Sequence, residues 1–473
     1  METRRWTKLS DVLYEVVGPG ARVPARVVAD EVLLEQIRTD RGVEQLLNVA
    51  TLPGVVRYVV GMPDMHEGHG FPVGGVAATR ASDGVISPGG IGFDINCGVR
   101  LLSTELYAAE EQERIAPFVH ELSRSVPTGY GRGGRVVLTD EEMDAVLAHG
   151  VPWVIRTLGA GEPEDVGFIE AGGALPGADP SRVSARAKER GRDQLGTLGG
   201  GNHFLEVQRV ETVYDEAVAT RFGLYQGQLT VLLHTGSRGL GHQVCSDHVA
   251  CMDAALPRFG ISLPDRQLAC APIGSPEGAD YLAAMACAAN FAWANRQMLT
   301  QRVREVALRT LGPGANVRVV YDVAHNIAKL EEYPEGPLWV HRKGATRAFG
   351  PRSAELPEAY RGVGQPVFIP GSMGTASYVL VGTDEAGEVS FASCCHGAGR
   401  AMSRGAARRK VPGAVVRAEL EALGIVVSCP SNAELAEEAP LAYKDVERVV
   451  DVVCRAGISR RVAKLVPLGV LKG

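Results

Sequence analysis

The sequence predicts one large domain in which short β-strands alternate with helices. Short apolar runs rich in β-branched residues are bounded by turn residues, as is typical of buried strands. The chain has 473 residues, of which 45% are hydrophobic and 22% are charged, an ordinary globular composition. Length alone would allow two or three domains of roughly 150 residues. No segment resembles a clean linker, so we expect a single domain over residues 1–473.

The predicted elements follow in chain order. Strands are expected at residues 55–60, 229–233, 317–321 and 367–369. The longest helix is expected from about residue 279 to residue 311, a segment rich in Ala, Met, Gln and Arg that contains Asn290 and Asn295. Two stretches rich in Gly or Pro, 159–184 and 256–278, predict long surface excursions.

Charge and cysteine content restrict the class of protein. The formal net charge is −6, so nucleic-acid binding would depend on local basic patches. Two basic runs are candidates, although each could be only a solvated helix face: Arg182, Arg186, Lys188, Arg190 and Arg192, and Arg400, Arg404, Arg408, Arg409 and Lys410. The nine cysteines are irregularly spaced, which is typical of a reduced intracellular protein. Without an apolar signal region or a run of about 18 apolar residues, we expect a cytoplasmic protein with no membrane partner.

The segment SCCHGAGRAMSR at residues 393–404 predicts a reactive imidazole. His396 follows an apolar run, and the glycines after it leave its ring open to a substrate. Arg400 and Arg404 are four residues apart, so we expect them to share one face of a helix. Like charges in that arrangement usually have an anionic partner such as phosphate. The segment therefore indicates a histidine beside a phosphate-binding helix.

Three further histidines, His203, His234 and His325, lie in motifs rich in Gly or Asn. His234, His325 and His396 each directly follow a predicted strand. Side chains just beyond strand ends converge at one rim of a sheet, which is the usual place for a site. A single histidine of this kind is more often structural, whereas three of them favour a functional cluster.

Asp94 and Cys97 in GGIGFDINCG add a carboxylate and a thiol that can aim at one point from a tight turn. A thiolate, a carboxylate and several imidazoles form a metal-ligand set. Residue types alone favour zinc, since Cys and His suit it, while the carboxylate keeps manganese and iron open. The alternative for Cys97 is a small buried apolar side chain, which the surrounding glycines make less favourable.

Small-residue loops at residues 236–239 and 371–378 offer backbone N–H groups to anions. The chain lacks the GxxxxGK[ST] motif of P-loop enzymes and the KxDG motif of lysine-dependent nucleotidyltransferases. In MPDMHEGHG, we interpret Asp64 as a charge partner of a nearby histidine. His66 and His69 are interpreted as residues that fix the loop or support the ligands.

Together these motifs resemble those of the RtcB family of RNA ligases. The resemblance covers nearly the whole chain and includes MPDMHEGHGFPVGG, GGIGFDINCGVR, LGGGNHFLE, HTGSRGLGHQ, DVAHN, PGSMGTASY, CCHGAGRAMSR and LKG. Eight motifs in the right order are highly specific. The resemblance implies an α+β fold, a single RtcB-like domain with central β-sheets and surrounding helices.

The resemblance also implies residue roles. His396 would be the nucleophile that forms a covalent guanylyl-histidine, with Asp64 holding its other ring nitrogen. Two manganese ions would be bound by Asp94, Cys97, His203, His234 and His325. Among these ligands, Cys97 would bridge the two ions. The phosphates of GTP would contact Asn202 and Lys343, and its ribose and guanine would contact Glu206, Ser372, Ser377, Tyr443 and Lys472. Phosphates of RNA or nucleotide would be bound by Arg238, Arg400 and Arg404.

The implied reaction is GTP-dependent joining of RNA 2′,3′-cyclic phosphate or 3′-phosphate ends to 5′-hydroxyl ends, through an RNA(3′)pp(5′)G intermediate. It would serve tRNA splicing, RNA repair or both, and the resemblance suggests an archease-like activator as a partner. We follow the resemblance in expecting Mn²⁺ rather than zinc. Three alternatives stay open: an RNA chaperone or repair subunit without ligation, a cyclic phosphodiesterase that does not join ends, and an enzyme that caps DNA or RNA ends.

Overall fold

A computed structural model describes residues 5–129, 131 and 133–473. In this part of the chain, helices and sheets are combined in an α+β arrangement, which confirms the predicted fold class. The strands are β1 (Arg5–Ser10), β2 (Leu13–Val17), β3 (Ala25–Val28), β4 (Val55–His66), β5 (Val73–Arg80), β6 (Val85–Ile86), β7 (Gly98–Tyr107), β8 (Phe204–Val213), β9 (Gln228–Thr235), β10 (Ala271–Pro272), β11 (Arg318–Ala324), β12 (Asn326–Tyr333), β13 (Gly336–Lys343), β14 (Ala345–Arg347), β15 (Pro366–Ile369), β16 (Ser377–Gly382), β17 (Ser393–Cys395), β18 (Val426–Ser428) and β19 (Ser459–Lys472).

The helices are α1 (Glu31–Thr39), α2 (Gly42–Val49), α3 (Gln112–Ser125), α4 (Asp140–Leu158), α5 (Ala185–Gly191), α6 (Glu216–Phe222), α7 (Arg238–Ala255), α8 (Pro276–Thr310), α9 (Ala386–Ser390), α10 (Arg404–Lys410), α11 (Gly413–Ala422), α12 (Asn432–Glu437) and α13 (Val446–Arg455). Apolar residues of α1, α2 and α13 share a core with the sheet that contains β4. Those of α3 and α8 share a core with the sheet that contains β7. Among the described residues, none of the helices combines the length and the hydropathy needed to span a bilayer.

One sheet has seven strands in the order β1-β2-β3-β4-β5-β13-β12. Its long strand β4 is buried along most of its length. The pairing of β4 with β5 is interrupted between Gly61 and His66. Such irregularities re-aim side chains and are common beside active sites. Asp64 lies within this interruption, so a buried strand presents its carboxylate away from the regular ladder.

The other large sheet has eight strands, with the path β11-β7-β9-β8-β19-β16-β15 and β18 paired to β19. Gly98, the first residue of β7, pairs with Thr235 at the end of β9 and with Ala324 at the end of β11. The start of β7 therefore lies between the ends of two strands that are distant in sequence. This register brings three motif-bearing segments to one place.

α8 is a helix enclosed by protein along much of its length. Ser275 caps its start by accepting a hydrogen bond from the backbone N–H of Gly278, and Pro276 occupies the first turn. Its buried residues include the polar side chains of Asn290, Asn295 and Arg296. Buried polar groups are stable only where partners meet their hydrogen-bonding atoms, so this helix must hold specific neighbouring segments.

The predicted long helix and the four predicted strands are confirmed, with shifted bounds. The helix expected at residues 279–311 is α8, and the strand expected at 55–60 extends through β4 to His66. The strands expected at 229–233, 317–321 and 367–369 are β9, β11 and β15.

The prediction that Arg400 and Arg404 share a helix face is wrong. α10 begins at Arg404 because the side chain of Ser403 accepts a hydrogen bond from the N–H of Ala406 and caps the helix there. Arg400 instead lies in an isolated antiparallel bridge with Tyr443.

The two predicted surface excursions are only partly on the surface. In residues 159–184, the buried carboxylate of Glu170 accepts hydrogen bonds from the N–H of Ala324 at 2.8 Å and from Lys329 at 2.7 Å. In residues 256–278, β10 pairs with β6. The prediction from composition overestimated the exposure of both stretches. Their anchoring contacts are made by the single side chain of Glu170 and by the short strand β10, which composition does not reveal.

Candidate metal centre and nucleotide pocket

A thiol, a carboxylate and three imidazoles meet where the strands of the eight-stranded sheet begin or end. Cys97 Sγ lies 3.4 Å from Nε2 of His203 and 3.3 Å from Nε2 of His234. The Nε2 atoms of His234 and His325 are 3.3 Å apart, and Asp94 Oδ2 is 2.8 Å from His203 Nε2. Two triplets could each surround one ion, and both contain the same thiol: Asp94, Cys97 and His203, and Cys97, His234 and His325.

Backbone hydrogen bonds set the distances among these donors. The N–H of Cys97 donates to the carbonyl of Asp94 at 2.9 Å, which closes a tight turn. Asn96 in this turn has a φ of 53°, a region that asparagine tolerates better than most residues. The N–H of His325 donates to the carbonyl of Cys97 at 2.9 Å. The sheet register places His234 opposite residues near the starts of β7 and β8.

The electrostatic environment favours neutral imidazoles at His234 and His325 and an ionised carboxylate at Asp94. Burial lowers the pKa of His234 and of His325 well below 6.5, and neighbouring histidines lower both further. Burial works to raise the pKa of Asp94, but the hydrogen bond and charge of His203 outweigh it and hold this pKa far below its ordinary value. Neutral imidazole and carboxylate are the forms that bind metal ions.

Cys97 is the donor that a bound cation would change most. Burial raises the pKa of its thiol well above 9.0, and the charge of Asp94 raises it further. A coordinating thiol is deprotonated by the cation itself. The donor chemistry of the cluster therefore fits divalent cations. One triplet offers an oxygen, a nitrogen and a sulfur, the other offers two nitrogens and a sulfur, and the sulfur is the same atom in both.

His396 lies directly after β17 and beside the donor cluster. Its Nδ1 is 2.7 Å from Asp64 Oδ2, and its backbone N–H donates to the same oxygen at 3.2 Å. The centre of its ring is 4.8 Å from the centre of the His325 ring. Because Asp64 occupies Nδ1, Nε2 is the nitrogen that remains for chemistry. The structure thus joins Asp64 and His396, as the sequence predicted.

Lys444 and Gly399 support the Asp64 strand. Lys444 Nζ donates to the carbonyl of Pro63 at 3.0 Å and to that of Met65 at 2.7 Å, on either side of Asp64. Burial lowers the pKa of Lys444 to about 8, and the charge of Asp64 opposes this shift. Gly399 has a φ of 74°, and a Cβ there would lie 2.3 Å from the carbonyl oxygen of Asp64. Only glycine allows this close approach.

A cavity of about 570 Å³ connects His396 with the polar residues predicted to bind phosphate. Its lining includes Asp40, His66, Glu67, Phe93, Asn202, His325, Lys343, His396, Arg400, Arg404 and Tyr443. Burial lowers the pKa of Lys343 to about 8, and its Nζ donates to the carbonyls of His69 and Phe71. His66 Nδ1 lies 2.9 Å from the carbonyl of Asp64. Because the carbonyl of His69 accepts the hydrogen bond from Lys343, His66 and His69 both contact segments around the cavity.

A second cavity of about 30 Å³ adjoins the first at Asn202 and Tyr443. Its lining is Asn202, Phe204, Glu206, Gly371, Ser372, Met373, Glu438, Tyr443 and Lys472. It therefore contains four of the five residues expected to bind ribose and guanine. Ser377 is the exception, because its hydroxyl accepts a hydrogen bond from the buried Gln208 amide at 3.0 Å beside the lining.

The small cavity contains two buried carboxyl groups with opposite pKa shifts. Burial raises the pKa of Glu206 to about 8, because Gln208 and Lys472 compensate only in part. Burial also works to raise the pKa of Glu438, but the charges of Lys472, Arg400 and Arg404 outweigh it and lower this pKa to about 2. One carboxyl group is therefore neutral at neutral pH while the other is ionised.

The second basic run contacts carboxylates of the protein itself. Arg400 Nη1 and Arg404 Nε lie 3.2 Å and 3.0 Å from the same oxygen of Glu438, whose other oxygen accepts a hydrogen bond from the Tyr443 hydroxyl. Arg408 lies 3.3 Å from Glu437. The anionic partner expected for these arginines is thus present within the chain.

The first basic run is also partly neutralised. Arg182 lies 3.1 Å from Asp280, and Lys188 lies 2.6 Å from Asp144.

Arg238, predicted to bind phosphate, begins α7 with a φ of 56°, and its Nε donates to Thr197 Oγ1 at 3.2 Å. A non-glycine residue with this φ at a predicted site indicates a backbone held by its surroundings.

Sequence reasoning missed Phe204, Glu438 and Lys444. Phe204 had a usable signal, because Phe204 and Glu206 are alternate residues of β8, and alternate residues of a strand share one face. Glu438 and Lys444 had none, because their partners are distant in sequence and no local pattern reports them.

Sequence comparison finds relatives along almost the whole chain. Residues 45–473 match the family described as "RtcB: tRNA-splicing ligase RtcB". The tRNA-splicing ligase RtcB of Archaeoglobus fulgidus is 53% identical, with 98% of each chain covered. That of Thermococcus kodakarensis is 52% identical over 96% of this chain and 95% of the relative. The RNA-splicing ligase RtcB of Mycobacterium tuberculosis is 51% identical over 91% of this chain and 100% of the relative. The chain therefore belongs to the RtcB family.

Proposed function

We propose that this protein is a GTP- and Mn²⁺-dependent RNA ligase that acts in the cytoplasm as one domain over residues 1–473. It joins RNA 2′,3′-cyclic phosphate or 3′-phosphate ends to 5′-hydroxyl ends, in tRNA splicing, RNA repair or both. The observation that carries this proposal is the placement of His396, whose Nδ1 is bound by Asp64 and whose ring lies 4.8 Å from that of His325. A nucleophilic imidazole beside a cation site suits nucleotidyl transfer.

The donor cluster would hold two manganese ions. Asp94, Cys97 and His203 would bind one ion and Cys97, His234 and His325 the other, with the thiolate shared. When bound, the ions would neutralise phosphate charge and orient the leaving group. Residue types alone suit zinc as well. Metal-free protein that regained self-guanylylation with Zn²⁺ and not with Mn²⁺ would show that manganese is the wrong ion.

The first chemical step belongs to His396. Its Nε2 attacks the α-phosphorus of GTP, a P–N bond forms, and the bond to pyrophosphate breaks. Asp64 holds the ring in the tautomer that leaves Nε2 free to attack, and its charge stabilises the positive charge that develops on the imidazole. The short Nδ1 to Oδ2 distance of 2.7 Å supports this role.

The later steps transfer the guanylate and join the strands. Water first opens the cyclic phosphate to a 3′-phosphate. An oxygen of that phosphate attacks the guanylyl phosphorus, and the P–N bond to His396 breaks to give RNA(3′)pp(5′)G. The 5′-hydroxyl of the second strand then attacks the 3′-phosphate, and GMP leaves. Dividing the condensation in this way replaces one difficult step by easier ones.

Recognition of GTP and RNA would use both cavities. Asn202 and Lys343 line the large cavity and would contact the phosphates of GTP. Ribose and guanine would contact Glu206, Ser372, Ser377, Tyr443 and Lys472. Phosphates of RNA or nucleotide would be bound by Arg238, Arg400 and Arg404. Guanidinium groups suit phosphate because their donors form a planar fork.

Incubation with α-labelled GTP and Mn²⁺ tests the nucleophile. We expect an acid-labile covalent label on the protein that is lost in His396→Ala. His149→Ala is the matched control, because His149 is exposed on α4 and lies outside both cavities. A label that persists in His396→Ala, or one lost equally in both variants, would contradict the assignment.

The alternatives differ in their products. A cyclic phosphodiesterase would open RNA ends without GTP, so its activity would survive in His396→Ala. A capping enzyme would accumulate RNA(3′)pp(5′)G or its DNA counterpart and would not join it to a 5′-hydroxyl end. Ligation of such RNA ends by purified protein supports the proposal. Repeating the assay with an archease-like protein tests the proposed activator, which should increase multiple turnover.

A further inference from the structure

The guanidinium of Arg296, on α8, connects the segments that carry the metal donors. Its side chain is 0% exposed. Nη1 donates to the carbonyl of Asn96 and to that of Thr235, both at 2.8 Å. These two carbonyls belong to the residue before Cys97 and the residue after His234. One nitrogen therefore joins the turn that holds the thiol to the strand end that holds an imidazole.

The remaining donors of Arg296 extend this connection to the segment that carries His325. Nε and Nη2 each donate to a different oxygen of Asp322 at 2.8 Å, and Asp322 lies in β11, three residues before His325. Nη2 also donates to Asn96 Oδ1 at 3.0 Å. A guanidinium has five N–H donors, and these five hydrogen bonds use them all.

We propose that Arg296 is a positioning residue for the metal centre, which sets the spacing of Cys97, His234 and His325. This role rests on the metal centre proposed above. Groups that orient metal ligands without touching the metal commonly change metal affinity about 10–100-fold when removed. Arg296 would act through the carbonyls of Asn96 and Thr235 and through the carboxylate of Asp322, so its effect would extend to three donors at once.

A second arginine separates positioning from ordinary core stability. Arg100 is also 0% exposed and donates from Nε to Asp322 Oδ2 at 2.7 Å. Its other hydrogen bonds go to Gln297 and Thr300 of α8. Both arginines therefore share their burial and their carboxylate, and the contacts to Asn96 and Thr235 belong to Arg296. Loss of either should destabilise the fold, but only loss of Arg296 should disturb the donors.

The test compares Arg296→Lys with Arg100→Lys and the unaltered chain. Lysine keeps the positive charge but has three donors on one atom, so it cannot reach the same carbonyls and carboxylate together. Metal-free protein is titrated with Mn²⁺, and unbound Mn²⁺ is measured by electron paramagnetic resonance. We expect Mn²⁺ affinity to fall by about tenfold or more in Arg296→Lys and by less than about threefold in Arg100→Lys. Thermal unfolding without metal should show similar destabilisation of both variants.

Each outcome of the titration decides a different point. Equal Mn²⁺ affinity in the two lysine variants would overturn the positioning role of Arg296 while leaving the metal centre intact. An unaltered chain that binds no Mn²⁺ would instead overturn the metal centre itself, and with it this role.

A milder variant keeps the proposal testable if the lysine variants do not fold. Asn96→Gly removes the Nη2 contact but suits the φ of 53° at this position. It also removes the hydrogen bond from Asn96 Nδ2 to the carbonyl of Ala289. We expect Mn²⁺ affinity to fall about threefold. Unchanged affinity in a folded Asn96→Gly protein would count against positioning by this network.

Discussion

The candidate metal centre lies beside the proposed nucleotide pocket, which consists of the two cavities that share Asn202 and Tyr443. The polar groups of the two regions are arranged differently. In the metal centre, the thiol of Cys97 lies within 3.4 Å of donor nitrogens of both His203 and His234. Arg296 joins the segments that carry Cys97, His234 and His325. In the nucleotide pocket, Arg400 and Arg404 bind the carboxylate of Glu438. One region presents donors to a ligand, whereas the other neutralises its own charges.

This difference separates two modes of binding. A cation can enter the metal centre without rearranging the groups that hold the donors, so preorganisation should govern its affinity. In the proposed mode of binding, the phosphates of a nucleotide would compete with Glu438 for Arg400 and Arg404. The adjoining cavity is small, about 30 Å³, and Tyr443 and Glu438 are part of its lining. Nucleotide binding should therefore be coupled to changes in the contacts of Glu438.

The largest effect is expected from a substitution that disrupts the metal centre. Cys97→Ala removes the donor that both triplets share, so we expect Mn²⁺ binding to weaken by more than about 100-fold and guanylylation to disappear. Calorimetry and GTP labelling measure the two effects. Cys251→Ala is the matched control, because Cys251 is exposed. Normal Mn²⁺ binding by Cys97→Ala would show that the thiol is only a packed side chain.

A smaller effect is expected at the boundary between the two regions. Asp64→Asn keeps the size of the side chain but removes the negative charge beside His396 Nδ1. We expect labelling to slow by roughly 100-fold or more, while Mn²⁺ affinity stays unchanged because Asp64 belongs to neither donor triplet. Single-turnover labelling and Mn²⁺ titration distinguish these outcomes. A parallel loss of metal affinity would mean that the two regions are not separable.

The two buried carboxyl groups of the nucleotide pocket should make the stability of the protein depend on pH in opposite ways. The pKa of Glu206 is about 8 in the folded protein and near 4.5 ordinarily, so the folded protein keeps a proton that the unfolded chain releases. Its contribution to stability is present below pH 4.5 and is lost as pH rises towards 8. We expect the stability of Glu206→Gln relative to the unaltered chain to increase across this range, by about 4 kcal/mol between pH 4 and pH 8.

Glu438 should show the opposite dependence. Its pKa is lowered to about 2, so its stabilising contribution is present above pH 4.5 and is lost as pH falls towards 2. The stability difference between the unaltered chain and Glu438→Gln should shrink with acidification. Urea unfolding at several pH values measures both variants. Equal pH dependence in Glu206→Gln and Glu438→Gln would contradict the contrast between the two groups.

The smallest expected effect concerns the Tyr443 hydroxyl. Tyr443→Phe keeps the ring but removes the hydrogen bond to Glu438. A hydrogen bond to an ionised carboxylate contributes about 1.5–3 kcal/mol to the stability of the fold. Because the hydroxyl contacts Glu438 and the ring is kept, we expect the KM for GTP to change by less than about tenfold. Tyr443→Ala, which removes the ring as well, is the companion variant. If both variants bind GTP as the unaltered chain does, the ring does not contact the base.

Much of the candidate site was predictable because its signals are local. His325 and His396 each follow an apolar strand, His234 lies at the end of another, and strand ends converge in space. The turn from Asp94 to Cys97 was readable from its glycines and short spacing. The α+β class followed from the resemblance, and the sequence alone indicated only that strands alternate with helices.

What the sequence could not predict depends on contacts between distant residues. The hydrogen bond between Arg400 and Glu438 joins residues 38 positions apart, and no periodicity marks it. The position of Arg400 outside a helix depends on the Ser403 cap and the bridge to Tyr443. Arg296 lies inside a predicted helix, but its role depends on three strand ends that the helix meets only in the folded chain.

The placement of β19 has a consequence for protein synthesis. This strand lies between β8 and β16 in the eight-stranded sheet, and it carries Lys472 of the nucleotide pocket. A ribosome translates every residue that precedes Ser459 before the strand that joins the two parts of the sheet exists. Until then, β8 and β16 present unpaired edges that attract other chains. Premature termination before β19 should therefore yield aggregating chains for quality control to remove, rather than a partly active enzyme.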